Sequence, residues 1–512
     1  MIALLLACRA GDPATPEDDV PPDPLADPFL GGDCSARPTC ADCGVSVPAI
    51  DHAPWFNRLT ESPPLSVTTL GSGDGVLQVA FGSAPGTPDV WCWEDVPDAG
   101  SPFQVRSLWL EAGETVFAMA RWKYADGTVS PAVDSAGWTV DIVPPEAVGA
   151  VESHRAISEH RFGWTGGGDD DRSGFSHYEA ALGSLPGASD LVDWTSTDAA
   201  STFGFDLDDV PVGQWGYPSA RTVDAAGNAS LATTGEGFIR CVSGYVFVPA
   251  NDDPGIDTDG FCVEKYEAKI LGEDDGDQGW SDAFVEEARV SGTPWASVER
   301  GFGSIACAAH GMQYTLISNK RWQALARDLE ATGENWSGGA VGAGALNRGH
   351  CDGDPYGALE ASTDDDPCFG TNNPACDDPT SPDWGAKRTH ALSNGEVVWD
   401  VAGNIWEHVD GALALDANGL WTAFDAAVFT TDAGWEDRRA NFGPAGDFTT
   451  EHGVGQFYLG SGELLRGGSF ASGDNPNSGG SDGEWDSGLY NGHHNVWWDA
   501  DGKQGFRCVY SP

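Results

Sequence analysis

Between about Leu65 and Arg240, apolar and polar positions alternate in short runs, as in Val76-Leu-Gln-Val-Ala-Phe81, Thr115-Val-Phe-Ala-Met-Ala-Arg-Trp-Lys-Tyr124 and Trp138-Thr-Val-Asp-Ile142. Gly, Pro and Asp separate them. A period of two predicts strands of small antiparallel sandwiches, each with one packed face and one wet face. Pro144-Pro145 forms a joint between two such modules, because neither residue donates to a sheet ladder and each restricts the residue before it. Beyond Cys241 the alternation fades into Gly- and Trp-rich sequence. One helix stands out there. Ser318 is an N-cap candidate, and Trp322, Leu325, Ala326 and Leu329 recur at i, i+3, i+4 and i+7, on one face that must be buried. The rest predicts irregular loops over a small sheet, a fold that needs disulfide staples. No stretch approaches the roughly 20 apolar residues of a spanning helix.

The chain is 512 residues long, room for about three or four domains. Hydrophobic residues make up 40% and aromatics 10%, which excludes a disordered acidic tail. Against 79 Asp and Glu stand only 26 Lys and Arg, a formal net charge of -53. That sign excludes nucleic acid as a partner and favours hard cations such as calcium, although a solvated acidic surface accounts for most of the carboxylates. The 12 Cys are widely scattered, as suits disulfides in an oxidising compartment. Cys40-Ala-Asp-Cys43 has CxxC spacing, but no second such pair or His pair completes a zinc site, so it reads as structural.

The apolar run Met1 to Cys8 ends in Leu5-Leu6-Ala7-Cys8, which resembles a bacterial lipobox without the basic n-region of a secretory signal. The resemblance implies export, with residues 1–8 as a lipoprotein-type signal, Cys8 acylated, and contact with a membrane only through that anchor. The alternative is a periplasmic or secreted chain. Residues 9–60 follow as an acidic, Pro-rich tether with a Cys cluster. Residues 144–240 resemble a fibronectin type III or related immunoglobulin-like domain. The matching segments are Phe162-Gly-Trp164, the Asp169-Asp-Asp-Arg-Ser-Gly-Phe175 turn, Tyr178-Glu-Ala-Ala-Leu-Gly183 and Arg221-Thr-Val-Asp-Ala-Ala-Gly-Asn-Ala-Ser230. In that family the Trp fills the core between the sheets, and the Asp-Ala-Ala-Gly-Asn run turns between the last two strands. Residues 61–143 resemble a more divergent copy. Such modules act as spacers or interaction surfaces.

Five motifs in residues 241–512 occur in the order found in the formylglycine-generating enzyme (sulfatase-modifying factor) family. They are Tyr245-Val-Phe-Val-Pro-Ala250 with Phe261-Cys-Val-Glu-Lys-Tyr-Glu267, the helix from Thr315 to Arg327, Trp399-Asp-Val-Ala-Gly-Asn-Ile-Trp-Glu407, Leu465-Arg-Gly-Gly-Ser-Phe470 and Gly505-Phe-Arg-Cys508. The resemblance implies an α+β, C-type-lectin-like fold with much irregular structure and adjacent termini. It also implies a disulfide between Cys307 and Cys508, and Cys241 with Cys262 as a second pair. Enzymes of the family oxidise a substrate cysteine using two cysteines and copper, and those cysteines lie between the Arg-Gly-Gly-Ser and Gly-Phe-Arg motifs. Here the interval from Phe470 to Arg507 contains no Cys, so copper is not expected and the expected catalytic residues are none. His493-His494 is the one His pair in that interval, and neighbours on an extended segment point to opposite faces, poorly placed to share an ion.

The same resemblance implies structural calcium held by the Asp400 and Glu407 side chains and the Gly403 and Ile405 carbonyls, with Asn347 and one of Asp364, Asp365 or Asp366 in a second site. It places a ligand groove near Asn475, Trp485, Tyr490, Asn495 and Trp497, where aromatic faces and amides suit a peptide, protein or glycan. The leading expectation is a surface-displayed, lipid-anchored ligand-binding or adhesion protein. The alternative is a formylglycine-generating or related oxidoreductase acting on protein cysteine, with Cys351, Cys368 and Cys376 as its displaced thiols.

Overall fold

The computed structural model describes residues 37–39, 45–71, 75–96, 102–106, 108–154, 160–414, 421–459, 461–472, 487–495 and 502–512. Cys8, the signal-like run, and Cys34, Cys40 and Cys43 of the tether lie outside the described residues. Among the described residues no helix is long and apolar enough to cross a membrane. The protein is a multidomain β-sandwich protein with few helices. It divides into two compact units, one of Met1–Glu146, Gly168–Ser176 and Val223–Ser230, the other of Ala147–Gly167, His177–Thr222 and Leu231–Pro512.

In the first unit a sheet runs in the order Trp55–Phe56, Trp138–Val140, Thr115–Tyr124, Gly75–Gly82, Trp91–Val96. The alternating run Thr115 to Tyr124 is a strand over the expected residues. Its Val116, Ala118 and Ala120 pack with Leu77, Val79 and Phe81 of the neighbouring strand, so the period of two becomes one buried face. Trp138 closes this core with its ring edge-on to Phe81 at 5.5 Å. At the Pro-Pro joint, the buried Asp141 accepts from Val143 N and Ser173 N, and the Asn228 amide donates to the Asp141 carbonyl. These bonds satisfy backbone groups that the prolines cannot serve.

The second unit opens with the other sandwich. His160–Trp164 lies between Val151–His154 and Thr202–Phe205, opposite a sheet built on Phe175–Gly183 and Trp215–Asp224. Trp164 fills the space between the sheets as the resemblance implies, edge-on to Tyr178 at 5.6 Å and packed with Phe162, Leu182 and Ala220. The Asp-Ala-Ala-Gly-Asn run turns between Trp215–Asp224 and Thr233–Thr234, and Gly227 takes a φ of 89° there, a conformation glycine adopts at little cost.

Among the described residues, 241–512 hold a four-stranded and a six-stranded sheet beside two small two-stranded ones. Tyr245–Val248 pairs with Phe261–Glu264, which pairs with Cys508–Tyr510, which pairs with Tyr314–Leu316, so the two ends of the segment share one sheet. A six-stranded sheet follows the order Trp421–Thr422, Phe457–Tyr458, Gly492–Asn495, Ser461–Arg466, Trp406–Ala414, Gln504–Phe506. The expected helix is present over Asn319–Ala331, with the Ser318 hydroxyl accepting from Arg321 N, and Trp322, Leu325, Ala326 and Leu329 are all 0% exposed. Cys307, at the end of the helix Arg300–Ala308, is bonded to Cys508, and Cys241 to Cys262. Cys368 and Cys376 form a third disulfide, a pairing that the sequence left open.

Non-reducing peptide mapping of the full chain is expected to recover these three pairs. Because the Cys307–Cys508 bridge spans 201 residues, its removal in Cys307→Ala/Cys508→Ala should lower stability by about 2–5 kcal/mol in a denaturant titration. An unchanged midpoint would mean that the hydrophobic cores alone hold the two ends together.

Candidate functional site

The Asp400-to-Glu407 loop follows the strand Val397–Trp399 and is left-handed at Asp400 (φ 52°), Gly403 (φ 80°) and Asn404 (φ 60°). Asp and Asn tolerate this region better than other side chains. Gly403 is required for a second reason: a Cβ there would stand 2.7 Å from the His350 carbonyl oxygen and 2.8 Å from His350 N. The loop is pinned by Glu267, whose carboxylate accepts from Ile405 N at 3.1 Å and from the Asn404 amide at 2.5 Å. The Asn404 carboxamide oxygen in turn accepts from Leu359 N.

The loop's two terminal carboxylates are each met by a buried guanidinium. Arg388 donates to both oxygens of Asp400, Nε to Oδ1 at 2.9 Å and Nη2 to Oδ2 at 2.6 Å. Arg507 donates to both oxygens of Glu407, Nη2 to Oε1 at 2.7 Å and Nε to Oε2 at 3.0 Å. Both arginines and Glu407 are fully buried, and Asp400 nearly so. The donor set therefore does not fit calcium. A hard cation needs carboxylate oxygens, and those of Asp400 and Glu407 already accept hydrogen bonds from fixed cations. Gly403 and Ile405 shape the loop, while their amide groups bond the Gly467 carbonyl and Glu267. The positive charge expected from an ion is supplied by Arg388 and Arg507.

The side chains expected at the second site make these bonds. The Asn347 amide donates to the Lys387 and Thr389 carbonyls, whereas Asp364 bonds Ser362, and Asp365 bonds Lys265 and the Trp399 indole. Burial dominates the electrostatics of this interior. It pushes the Glu267 carboxyl well up, with Asp400 adding to the effect, and brings the Lys269 ammonium down to about 8 against the pull of Glu267 and Asp400. Glu264 and Glu286 lie close together, with carboxylate oxygens within 4.8 Å of each other. Burial and their mutual repulsion hold Glu264 well above the usual carboxylate range, Glu286 also rises, and His310 Nε2 lies 2.6 Å from Glu286.

Of the expected groove, Tyr490 is a core residue, 0% exposed, with its hydroxyl bonded to Glu330. Asn475, Trp485 and Trp497 lie outside the described residues, as does the side chain of Asn495. Beside that interval the six-stranded sheet carries an aromatic cluster that the sequence did not reveal. Trp421 stacks on His493 at 5.5 Å and meets Tyr458 edge-on at 5.4 Å, while Trp406 lies 5.9 Å from His493. All four are half-buried. They sit on four different strands, and only the strand order reveals that they meet. His493 thus packs among aromatic rings. The thiols proposed for an oxidase are also accounted for, since Cys368 and Cys376 are bonded to each other and Cys351 is 4% exposed.

No family model matches the chain, and no curated protein does. Among solved structures, it is similar to the FN1–FN3 domains of chicken CNTN1, at 13% identity over 39% of this chain and 67% of that one, with a TM-score of 0.27. It is likewise similar to fibronectin(III)-like modules of Clostridium thermocellum CbhA, at 14% identity over 38% of this chain and 94% of that one, with a TM-score of 0.23. At those scores the sandwich assignment rests on the strand pairing described above.

Two outcomes are expected from the buried network. Arg507→Met should destabilise the protein by about 3–5 kcal/mol, because it strands Glu407, and adding Glu407→Leu should recover more than half of that loss in a denaturant titration. A double variant no more stable than the single one would refute the pairing. The second concerns pH. Glu264 and Glu286 titrate above their ordinary 4.5 when folded, so the folded state holds more protons than the unfolded chain. Their contribution is complete below that value and is lost as pH rises through the folded values. Glu264→Gln should therefore flatten the alkaline fall in thermal midpoint, and a parallel curve would sink the assignment.

Proposed function

We propose that the protein is a surface-displayed binding protein. Its two sandwiches serve as spacers and residues 241–512 as a non-catalytic, C-type-lectin-like head of the formylglycine-generating-enzyme type. Support for the head comes from the shared sheet at its two ends, the Cys307–Cys508 closure and the helix at Asn319–Ala331, each of which the resemblance implies. The single observation that carries the binding role is the half-buried cluster of Trp406, Trp421, Tyr458 and His493. Flat, rigid rings lose little conformational entropy on binding and offer apolar faces with polar edges, as suits a sugar ring or an aromatic or aliphatic peptide side chain. Interface energy concentrates on a few such anchors. The absence of Cys between Phe470 and Arg507 weighs against thiol chemistry at this place.

Glycan and peptide arrays probed with the full chain test the reading. A hit whose affinity falls at least about ten-fold in Trp421→Ala, with an unchanged thermal midpoint, is the expected result. Binding indifferent to Trp421→Ala, or no hit on either array, would overturn it. So would aldehyde formation on a Cys-x-Pro-x-Arg peptide incubated with copper-loaded protein.

A further inference from the structure

Within the second compact unit, a cleft of about 520 Å³ lies between the second sandwich and the head. Its volume is that of a small-molecule site. The sandwich contributes Phe205 and Phe238, stacked at 5.4 Å with 25° between their planes, and the head contributes Phe247. The walls are held in fixed relation. The Cys241–Cys262 disulfide crosses between them, Trp215 packs edge-on to Phe247 at 6.2 Å, and Ile239 shares a core with Phe247 and Cys262. An apolar surface fixed in this way costs a ligand little reorganisation.

The polar lining is chemically biased. The turn Leu392–Glu396 docks on the strand Tyr245–Val248, through Asn394 Nδ2 to the Phe247 carbonyl at 2.7 Å and Phe247 N to Glu396 Oε2 at 3.0 Å. That second bond fixes the Glu396 carboxyl at the cleft wall and occupies one oxygen; Oε1 accepts no hydrogen bond from the described residues. Glu152 and Glu236 line the same cleft, as do Arg161 and Arg240, and Arg240 is already held by Asp208 and the Val210 carbonyl. Glu152, Asp208, Glu236 and Glu396 against Arg161 and Arg240 leave a formal -2, inside a chain whose net charge is -53. Such a field concentrates cations and repels anions.

We propose that this cleft binds a small amphipathic organic cation, with its apolar body against Phe205, Phe238 and Phe247 and its ammonium group on Glu396. The site is separate from the aromatic cluster of the head and does not depend on its function. Burial pushes the Glu396 carboxyl up to about 7, opposed by the Phe247 amide and by Lys265. Occupancy by an ammonium ion should therefore strengthen as that carboxyl ionises; the other charged groups at the cleft are Glu152, Glu236, Arg161 and Arg240, with Asp208 on Arg240 and Lys265 acting on Glu396.

The test uses the full chain and dansylcadaverine, a primary ammonium on an aromatic body, beside its neutral N-acetyl analogue, followed by fluorescence titration between about pH 6 and 8. The ammonium probe is expected to bind at least about ten-fold tighter than the neutral one at the upper end, with the preference shrinking toward the lower end. Glu396→Gln, which keeps a carbonyl oxygen for Phe247 N, should erase the preference while the thermal midpoint stays in place. Equal affinity for the two probes, a preference that survives Glu396→Gln, or no binding by millimolar probe would each overturn the proposal.

Discussion

The head depends on one side chain. Arg507, between the strands Gln504–Phe506 and Cys508–Tyr510, donates to Glu407 on the six-stranded sheet, to the Glu264 carbonyl on the other sheet and to the Trp399 carbonyl before the left-handed loop. Taking a guanidinium out of water costs several kcal/mol, and that cost is offset only where nearly every donor finds an acceptor. Arg507 meets the condition, so its burial both requires and enforces the register of three segments. Glu407 is satisfied by the same contact, and Asp400 by an equivalent one with Arg388. Removing a partner would leave a buried charge without compensation, which makes the arrangement far less tolerant than an apolar contact of equal area.

This use of cations is notable in so acidic a chain. Of 26 Lys and Arg, the described residues bury Arg121, Lys269, Arg327, Arg388, Arg466 and Arg507. Eight acids are buried among the same residues, Asp141, Asp224, Glu264, Glu267, Glu286, Glu330, Asp400 and Glu407, so a larger share of the basic groups than of the acidic ones is drawn inward. Each buried cation lies where carboxylates or carbonyls converge, or beside an aromatic face, as with Arg121 over Trp93 at 4.0 Å. The surface field and the interior network are two consequences of the same distribution of charge.

Much of the fold could be read from the sequence, because its signals are local. The strand Thr115–Tyr124 follows from alternation, the helix Asn319–Ala331 from its cap and its apolar stripe, and the closing disulfides from motif order. The site was less legible. Asp400 and Glu407 stand out in the sequence as carboxylates expected to hold calcium, but their partners Arg388 and Arg507 stand 12 and 100 residues away, where no spacing rule reaches. A usable signal existed: a charged residue inside an otherwise apolar strand segment, as in Gly505-Phe-Arg-Cys508, must be paired when buried. The aromatic cluster had no such signal, since Trp406, Trp421, Tyr458 and His493 are brought together only by the order of strands in the sheet.

Neutralisation by arginine differs in thermodynamic meaning from neutralisation by an ion. A bound ion contributes stability that grows with its free concentration and vanishes under a chelator. A guanidinium attached to the chain contributes the same neutralisation at a fixed effective concentration, and it remains protonated over the whole accessible pH range. Its planar fork also imposes direction, so Arg388 and Arg507 fix the orientation of Asp400 and Glu407 as well as their charge. The loop between them keeps three left-handed residues, held by these pairs together with Glu267. What varies with pH includes Glu264 with Glu286, Glu267 and Lys269, and Glu396 at the cleft, groups for which burial is the largest cause of the shift and neighbouring charges and hydrogen bonds add to it or oppose it.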